Sequence, residues 1–178
     1  MFDFKSLTID DYNIAMAYLG QERAPDVSIM PDGHPYLYRW HLKPRDRTGA
    51  TGNLYFHIQV ADDPERPHHD HPWENMSVIL AGGYRESVLM GSFRSSAGEF
   101  TPMIDEITRL PGDVIFRKAS DAHHLRLLPG ELYSMSQFAT GPKVREWGFW
   151  CPDGLWVPAN DVIENTADGR SLYRGPRG

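Results

Sequence analysis

Two short segments hold residues able to do chemistry together. The first, RPHHDHPWENMSVILAGGY, contains His69-Asp70-His71. In a β-strand, side chains at i and i+2 share a face and stand about 6.6 Å apart along it. Two imidazoles placed in this way converge on one ion, while His68 and Asp70 turn to the opposite face. A third donor from a neighbouring strand completes a facial set that leaves coordination positions open to a substrate. The second segment, RLPGDVIFRKASDAHHLRL, starts from a tight turn, Pro111-Gly112-Asp113, that feeds a predicted buried strand, Val114-Ile115-Phe116. A polar connection, Lys118 to Asp121, then leads into His123. A chain that runs this way inside a barrel returns His123 towards the His69–His71 pair. One histidine alone reads best as an ordinary surface or core side chain. Three of them in two such segments favour ligation of one divalent metal ion.

The elements that must position these residues are short. Residues 8 to 20 are the one N-terminal stretch with a helical pattern: Thr8 stands as a cap with Asp11 three residues later, and Gly20 sits where a C-terminal glycine belongs. Beyond it come runs of β type, punctuated by Gly, Pro and Asp. They are Val27 to Met30, Pro35 to Leu42, Asn53 to Val60, Asn75 to Leu80, Tyr84 to Phe93, Ile104 to Leu110, Val114 to Arg117, His124 to Leu128 and Leu132 to Ala139. Strands this short and close, without long helices between them, predict an all-β sandwich or closed barrel. Trp147, Phe149, Trp150 and Trp156 cluster around the turn Cys151-Pro152-Asp153-Gly154, and that density predicts packing against the barrel wall or its open end. The Gly- and Arg-rich stretch from Asp168 to Gly178 is expected to be poorly ordered. The chain has no internal repeat and no linker, so one domain of 178 residues is expected, with a core at about 53–140.

The chain resembles the cupin superfamily over roughly Tyr55 to Ala139. Cupins carry a first motif of HxH, then a glutamate, then a glycine about twelve residues after the second histidine; His69-Asp70-His71 and Gly83 fit that frame. The second motif runs from a proline–glycine–aspartate turn to a histidine, and Gly112 to His123 fits its spacing, with His124 one residue too late. The wider pattern, from YRWHLKP to WGFWCPDG, is similar to a group of uncharacterised cupins of bacteria and their phages. The resemblance implies a jelly-roll β-barrel in which His69, His71 and His123 bind a metal. The usual cupin glutamate falls at Asn75 or Met76, neither of which is a carboxylate, while Glu74 lies one or two residues early. Either a local bulge brings Glu74 in as a fourth ligand, or the site has three histidines, similar to that of the thiol dioxygenases, which use ferrous iron.

Other residues divide between pocket and packing. His57 shares a strand face with Tyr55 and Gln59; that face is a polar lumen or, by slight preference, a solvent face. Arg39 and His41 raise the same question one strand earlier. Trp73 and Tyr84 flank the first motif as pocket-lining candidates, and Tyr133 with Gln137 as lumen candidates. Cys151 reads as a small buried hydrophobe.

Three function classes follow. The first is a metal-dependent enzyme acting on a small molecule, with Fe, Zn, Ni or Mn as the ion and a lean to ferrous dioxygenase chemistry. The second is a sugar isomerase or epimerase, whose base candidates are Glu74, His57 and Tyr84; it works with a metal or, with the histidines as acid–base groups, without one. The third is a binding module without catalysis. A net charge of -6, with no basic run longer than Arg117-Lys118, argues against a nucleic-acid partner. No apolar stretch approaches a membrane span. One cysteine excludes an internal disulfide, and the start lacks the features of a secretory signal, so a soluble, cytoplasmic protein is expected. Cupins pair through sheet edges, which makes a homodimer plausible.

Overall fold

The computed structural model describes residues 9–20, 22–165 and 171–175. Its α1 runs Ile9–Leu19; the proposed cap, Thr8, lies outside the described residues. Among the described residues fourteen strands follow: β1 Val27–Ile29, β2 Leu37–His41, β3 Leu54–Gln59, β4 His68–His69, β5 Asn75–Gly82, β6 Tyr84–Arg94, β7 Phe100–Arg109, β8 Val114–Arg117, β9 His123–Leu127, β10 Ser134–Thr140, β11 Gly148–Trp150, β12 Trp156–Pro158, β13 Ile163–Asn165 and β14 Ser171–Tyr173. A one-turn helix, α2 (Ala159–Val162), joins β12 to β13. One antiparallel sheet has the order β1-β2-β3-β10-β5-β8 and the second β12-β11-β4-β9-β6-β7. The chain is an all-β jelly roll of two six-stranded sheets, with β13 and β14 as a separate ribbon.

Over β2, β3 and β10 the first sheet buries both faces, for different reasons. On its outer face Tyr38, Trp40, Phe56, Ile58 and Met135 form the main apolar core with Ala15 and Met16 of α1. Phe56 is fully buried and stacks on Tyr18 at 4.8 Å. Removing side chains of this size from water contributes about 1.5–3 kcal/mol each. The alternate residues, Arg39, Tyr55, His57, Gln59, Ser136 and Phe138, turn inward, because the strand period is 2. His57 is therefore an interior residue, and the preference for a solvent face was misplaced. Tyr18 donates a hydrogen bond to Gln137 Oε1 at 3.0 Å, and Tyr133 packs against the α1 core, so both lie towards the helix and not in the lumen.

Three further expectations change. Val114 and Phe116 are exposed, with only Ile115 buried between them, because β8 is an edge strand and presents one face to solvent. The Ser171–Tyr173 stretch is ordered by pairing with β13. β11 and β12 were not foreseen as strands, since three residues give no periodicity to read, and β4, the strand expected to carry both histidines of the pair, ends at His69. Gly83 of the first motif is required by space: a Cβ there would lie 2.6 Å from the Arg109 carbonyl oxygen.

Candidate metal centre

The two histidine motifs meet in the second sheet. β4 and β9 are antiparallel neighbours with His69 directly opposite His123, and β11 flanks β4 on the other side with Phe149 opposite His69. His71 follows β4 and is anchored by its backbone N–H to the Ala119 carbonyl at 3.1 Å. Asp70, between the two histidines, turns the other way and is fully buried. Its carboxylate accepts from Gly148 N at 2.7 Å and from Arg145 Nη1 and Trp156 Nε1, each at 2.8 Å. Those three bonds tie the HxH segment to the C-terminal strands. The alternation that aims two imidazoles inward thus also locks the element that carries them.

The ligand nitrogens of His69, His71 and His123 all lie within 4.8 Å of one another. His71 Nε2 and His123 Nε2 are 2.9 Å apart. Two nitrogens at about 2.05 Å from a shared ion stand roughly 2.9–3.3 Å apart between right-angled and tetrahedral arrangements. The pair fits such an ion, and it also fits an N–H···N hydrogen bond. Glu74 is exposed and stands outside this group; its backbone carbonyl accepts from Gly141 N at 2.8 Å. Asn75, one of the two positions expected for the family glutamate, is buried and accepts from Arg117 Nη1 through Oδ1 at 3.4 Å. Among the described residues, the cluster holds three histidines and no carboxylate.

Carboxylates stand one layer further out, and sequence reasoning missed them. Glu86, almost wholly buried, accepts from His123 Nδ1 at 2.8 Å, from Arg117 Nε at 2.6 Å and from Arg109 Nε at 2.7 Å. This bond fixes the His123 proton on Nδ1 and leaves Nε2 as the donor atom for an ion. Burial alone would raise the Glu86 carboxyl, but the His123 bond and the Arg117 charge hold it well below the usual range. Asp63 plays the weaker part beside His69, with Oδ2 3.8 Å from Nδ1. It accepts from the Tyr36 hydroxyl and from Leu125 N at 2.8 Å. A sequence signal for Glu86 existed: it lies two residues after Tyr84, so the two share a face of β6. Its proximity to His123 comes from the diagonal register of β6 on β9, where Val88 is opposite His123.

All three imidazoles are neutral near pH 7. Burial lowers His123 to about 4, with Arg117 adding to the effect and Glu86 opposing it. Burial pushes His71 well below its ordinary value, aided by His123, His69, Arg117 and Arg39. Burial also lowers His69, against the pull of Asp63. Neutral imidazole is the form that binds metal.

The cluster opens into a cavity of about 520 Å³ between the sheets. Trp73 stacks on His71 at 4.7 Å, and Trp147 and Phe149 close the wall beside His69 at 6.5 and 6.4 Å. Of the C-terminal aromatic cluster, Trp147 and Phe149 thus pack beside the site, while Trp156 binds Asp70 behind it. His57 and Tyr84 both line the cavity. His57 Nε2 accepts from Arg39 Nε at 2.8 Å, and burial together with that charge keeps the ring neutral. The Tyr84 hydroxyl accepts from Arg117 Nη2 at 3.3 Å, and burial raises its pKa. Cys151 is buried away from this chemistry, its thiol pushed up by burial.

No protein-family model matches the chain, and no curated protein does. Among solved structures it is similar to the hydroxypropylphosphonic acid epoxidase from S. wedmorenis, at 14% identity over 75% of each chain and a TM-score of 0.44. A cupin superfamily protein from Desulfitobacterium hafniense DCB-2 shares 11% identity over 68% of this chain and 84% of its own, with a TM-score of 0.39. A conserved Streptococcus pyogenes protein of unknown function shares 16% over 61% and 76%, with a TM-score of 0.41. These values say nothing of chemistry. What decides the architecture is the strand order together with the placement of both histidine motifs on the adjacent strands β4 and β9. The fold is cupin-like. In this cupin-like chain neither position expected for the glutamate of the usual motif, Asn75 or Met76, carries a carboxylate, and no helix of the described residues is long and apolar enough to cross a membrane.

Proposed function

We propose that this protein is a metal-dependent enzyme acting on a small molecule, with one divalent ion held by His69, His71 and His123. The observation that carries this reading is the cluster itself: three neutral imidazoles whose donor atoms lie within 4.8 Å, at the wall of a cavity between the sheets. An ion bound there supplies Lewis acidity or, if ferrous, one-electron chemistry. The chain's own residues do the rest. Glu86 holds the His123 proton at Nδ1, Trp73 fixes the His71 ring plane, and Trp147 and Phe149 exclude water beside His69.

Within this reading we favour ferrous iron and dioxygenase-like chemistry. The all-imidazole donor set supports it, because Glu86 and Asp63 are already committed to other donors. An isomerase needs a base in the cavity, and its first candidate, Glu74, is exposed, which leaves His57 and Tyr84 for that role. Two copies pairing through a sheet edge such as β8, with Val114 and Phe116 exposed, would form the homodimer.

Elemental analysis of the purified protein beside a His69→Ala/His123→Ala double variant tests the centre. Near-stoichiometric metal in the parent, lost in the variant, is the expected result. Iron taken up in preference to zinc supports the dioxygenase lean, and the reverse removes it. A parent that takes up no metal even after reloading overturns the proposal.

A further inference from the structure

The cavity wall opposite the histidine cluster carries a cation that no described carboxylate pairs with. Arg109 and Arg117 are paired with Glu86, and Arg145 with Asp70. Arg39 lines the cavity, is half-buried, and has no carboxylate partner among the described residues. Its Nε donates to the neutral His57 ring, and its guanidinium lies over the Tyr55 ring at 4.6 Å. Burial accordingly lowers its pKa, with only aromatic hydroxyls to oppose the shift. A charge taken out of water is ordinarily matched by an opposite charge. Arg117, which also lines the cavity, is matched by Glu86, whereas Arg39 has no such match among the described residues.

The surroundings of Arg39 are built for a polar ligand. Arg39, His57 and Ser136 stand directly opposite one another across β2, β3 and β10, forming one inward row. The adjacent row brings Ser134, whose buried hydroxyl has no hydrogen-bond partner and which also lines the cavity. Phe138 connects this region to the metal centre: its ring lies 5.0 Å from His57 and 6.5 Å from His71. Arg39 is near enough for its charge to act on His71.

We propose that Arg39 is the anchor for the carboxylate of a small organic acid, bound in the cavity with its other end towards His69, His71 and His123. A guanidinium fork matches a carboxylate through two parallel hydrogen bonds, and its Nε is already fixed by His57, which leaves the two terminal nitrogens for the ligand. Ser134 and Ser136 supply hydroxyls along the same wall. The assignment rests on the cavity being the substrate site of the function proposed above.

The test uses propionate and its uncharged counterpart propionamide, titrated at constant ionic strength and followed through the fluorescence of the cavity tryptophans. Both metal-loaded and chelated wild-type protein are used. Propionate is expected to bind both forms and propionamide at least tenfold more weakly. Arg39→Gln should weaken propionate roughly tenfold to hundredfold, the range of a charge-assisted hydrogen-bond pair, and leave propionamide unchanged. Arg39→Lys, which keeps the charge and loses the fork, should fall between. As a check that needs no variant, phenylglyoxal modification of Arg39 in the wild type should be slowed by propionate and not by propionamide. Unchanged binding in Arg39→Gln, or a labelling rate indifferent to propionate, overturns the anchor. Propionate binding that survives Arg39→Gln but disappears on chelation overturns it too, because the acid then sits on the ion, and the metal reading stands. Propionate held through Arg39 in a protein that takes up no metal leaves the anchor and removes the metal enzyme.

Discussion

Glu86→Gln is the sharpest perturbation of the layer behind the metal centre. The wild-type carboxylate is almost fully buried and receives three N–H donors, two on Oε1 from Arg117 and His123 and one on Oε2 from Arg109. Glutamine has one acceptor oxygen. Its best orientation keeps oxygen towards Arg117 and His123 and turns the NH2 group against the Arg109 N–H. Removing one partner of a buried pair costs about 3–5 kcal/mol. Arg109 keeps 21% of its side chain in contact with solvent, which relieves part of its loss and places the cost near the lower limit. A chain of this size changes its melting temperature by about 2–4 °C per kcal/mol, so a loss of about 3 kcal/mol lowers it by roughly 6–12 °C. The same change weakens the hold on the His123 tautomer, and outer-layer partners of metal ligands contribute about 10–100-fold in affinity. Calorimetry of the chelated protein reads the first effect, and competition with a metal chelator reads the second. A melting temperature within 2 °C of the parent, with unchanged metal affinity, would refute the assignment of Glu86 as the group that holds His123.

Other outcomes follow from the same buried layer and its neighbours. His123 falls from about 6.5 in the unfolded chain to about 4 in the folded one, so the metal-free fold binds fewer protons than the unfolded chain between these values. That stabilisation is complete above pH 6.5 and is lost as pH falls towards 4, by about 3 kcal/mol for this residue; a melting temperature flat from pH 7 to 5 would contradict it. Asp70→Asn leaves three donors sharing one acceptor oxygen and should destabilise the chain by about 3 kcal/mol in urea unfolding. Gly83→Ala drives a methyl group to 2.6 Å from a backbone oxygen and should cost about 1–3 kcal/mol by the same measurement, and a neutral result would mean that β6 and β7 separate easily there.

The local layer of this protein was legible in its sequence. Alternation in a strand has a period of 2, so His69 and His71 had to share a face and Asp70 had to oppose them. The turn at Pro111-Gly112-Asp113 and the spacing to His123 marked the second motif, and most strand positions could be read to within a few residues from their punctuation. Alternation, however, separates two faces without saying which one is inside. In β3 the apolar residues, Phe56 and Ile58, are covered by α1, and the polar set, with His57, faces the cavity. A strand with one face in water has the same pattern, so only the docking of the helix decides the question. The carboxylates behind the metal centre were equally hidden. Glu86 meets His123 across 37 residues of chain, and Arg145 meets Asp70 across 75. Such pairings depend on strand order and register, which are set by the packing of whole sheets and leave no mark on the residues nearby. The surplus charge of Arg39 belongs to the same class: an arginine in a strand is unremarkable until the fold has left it without a carboxylate partner among the described residues.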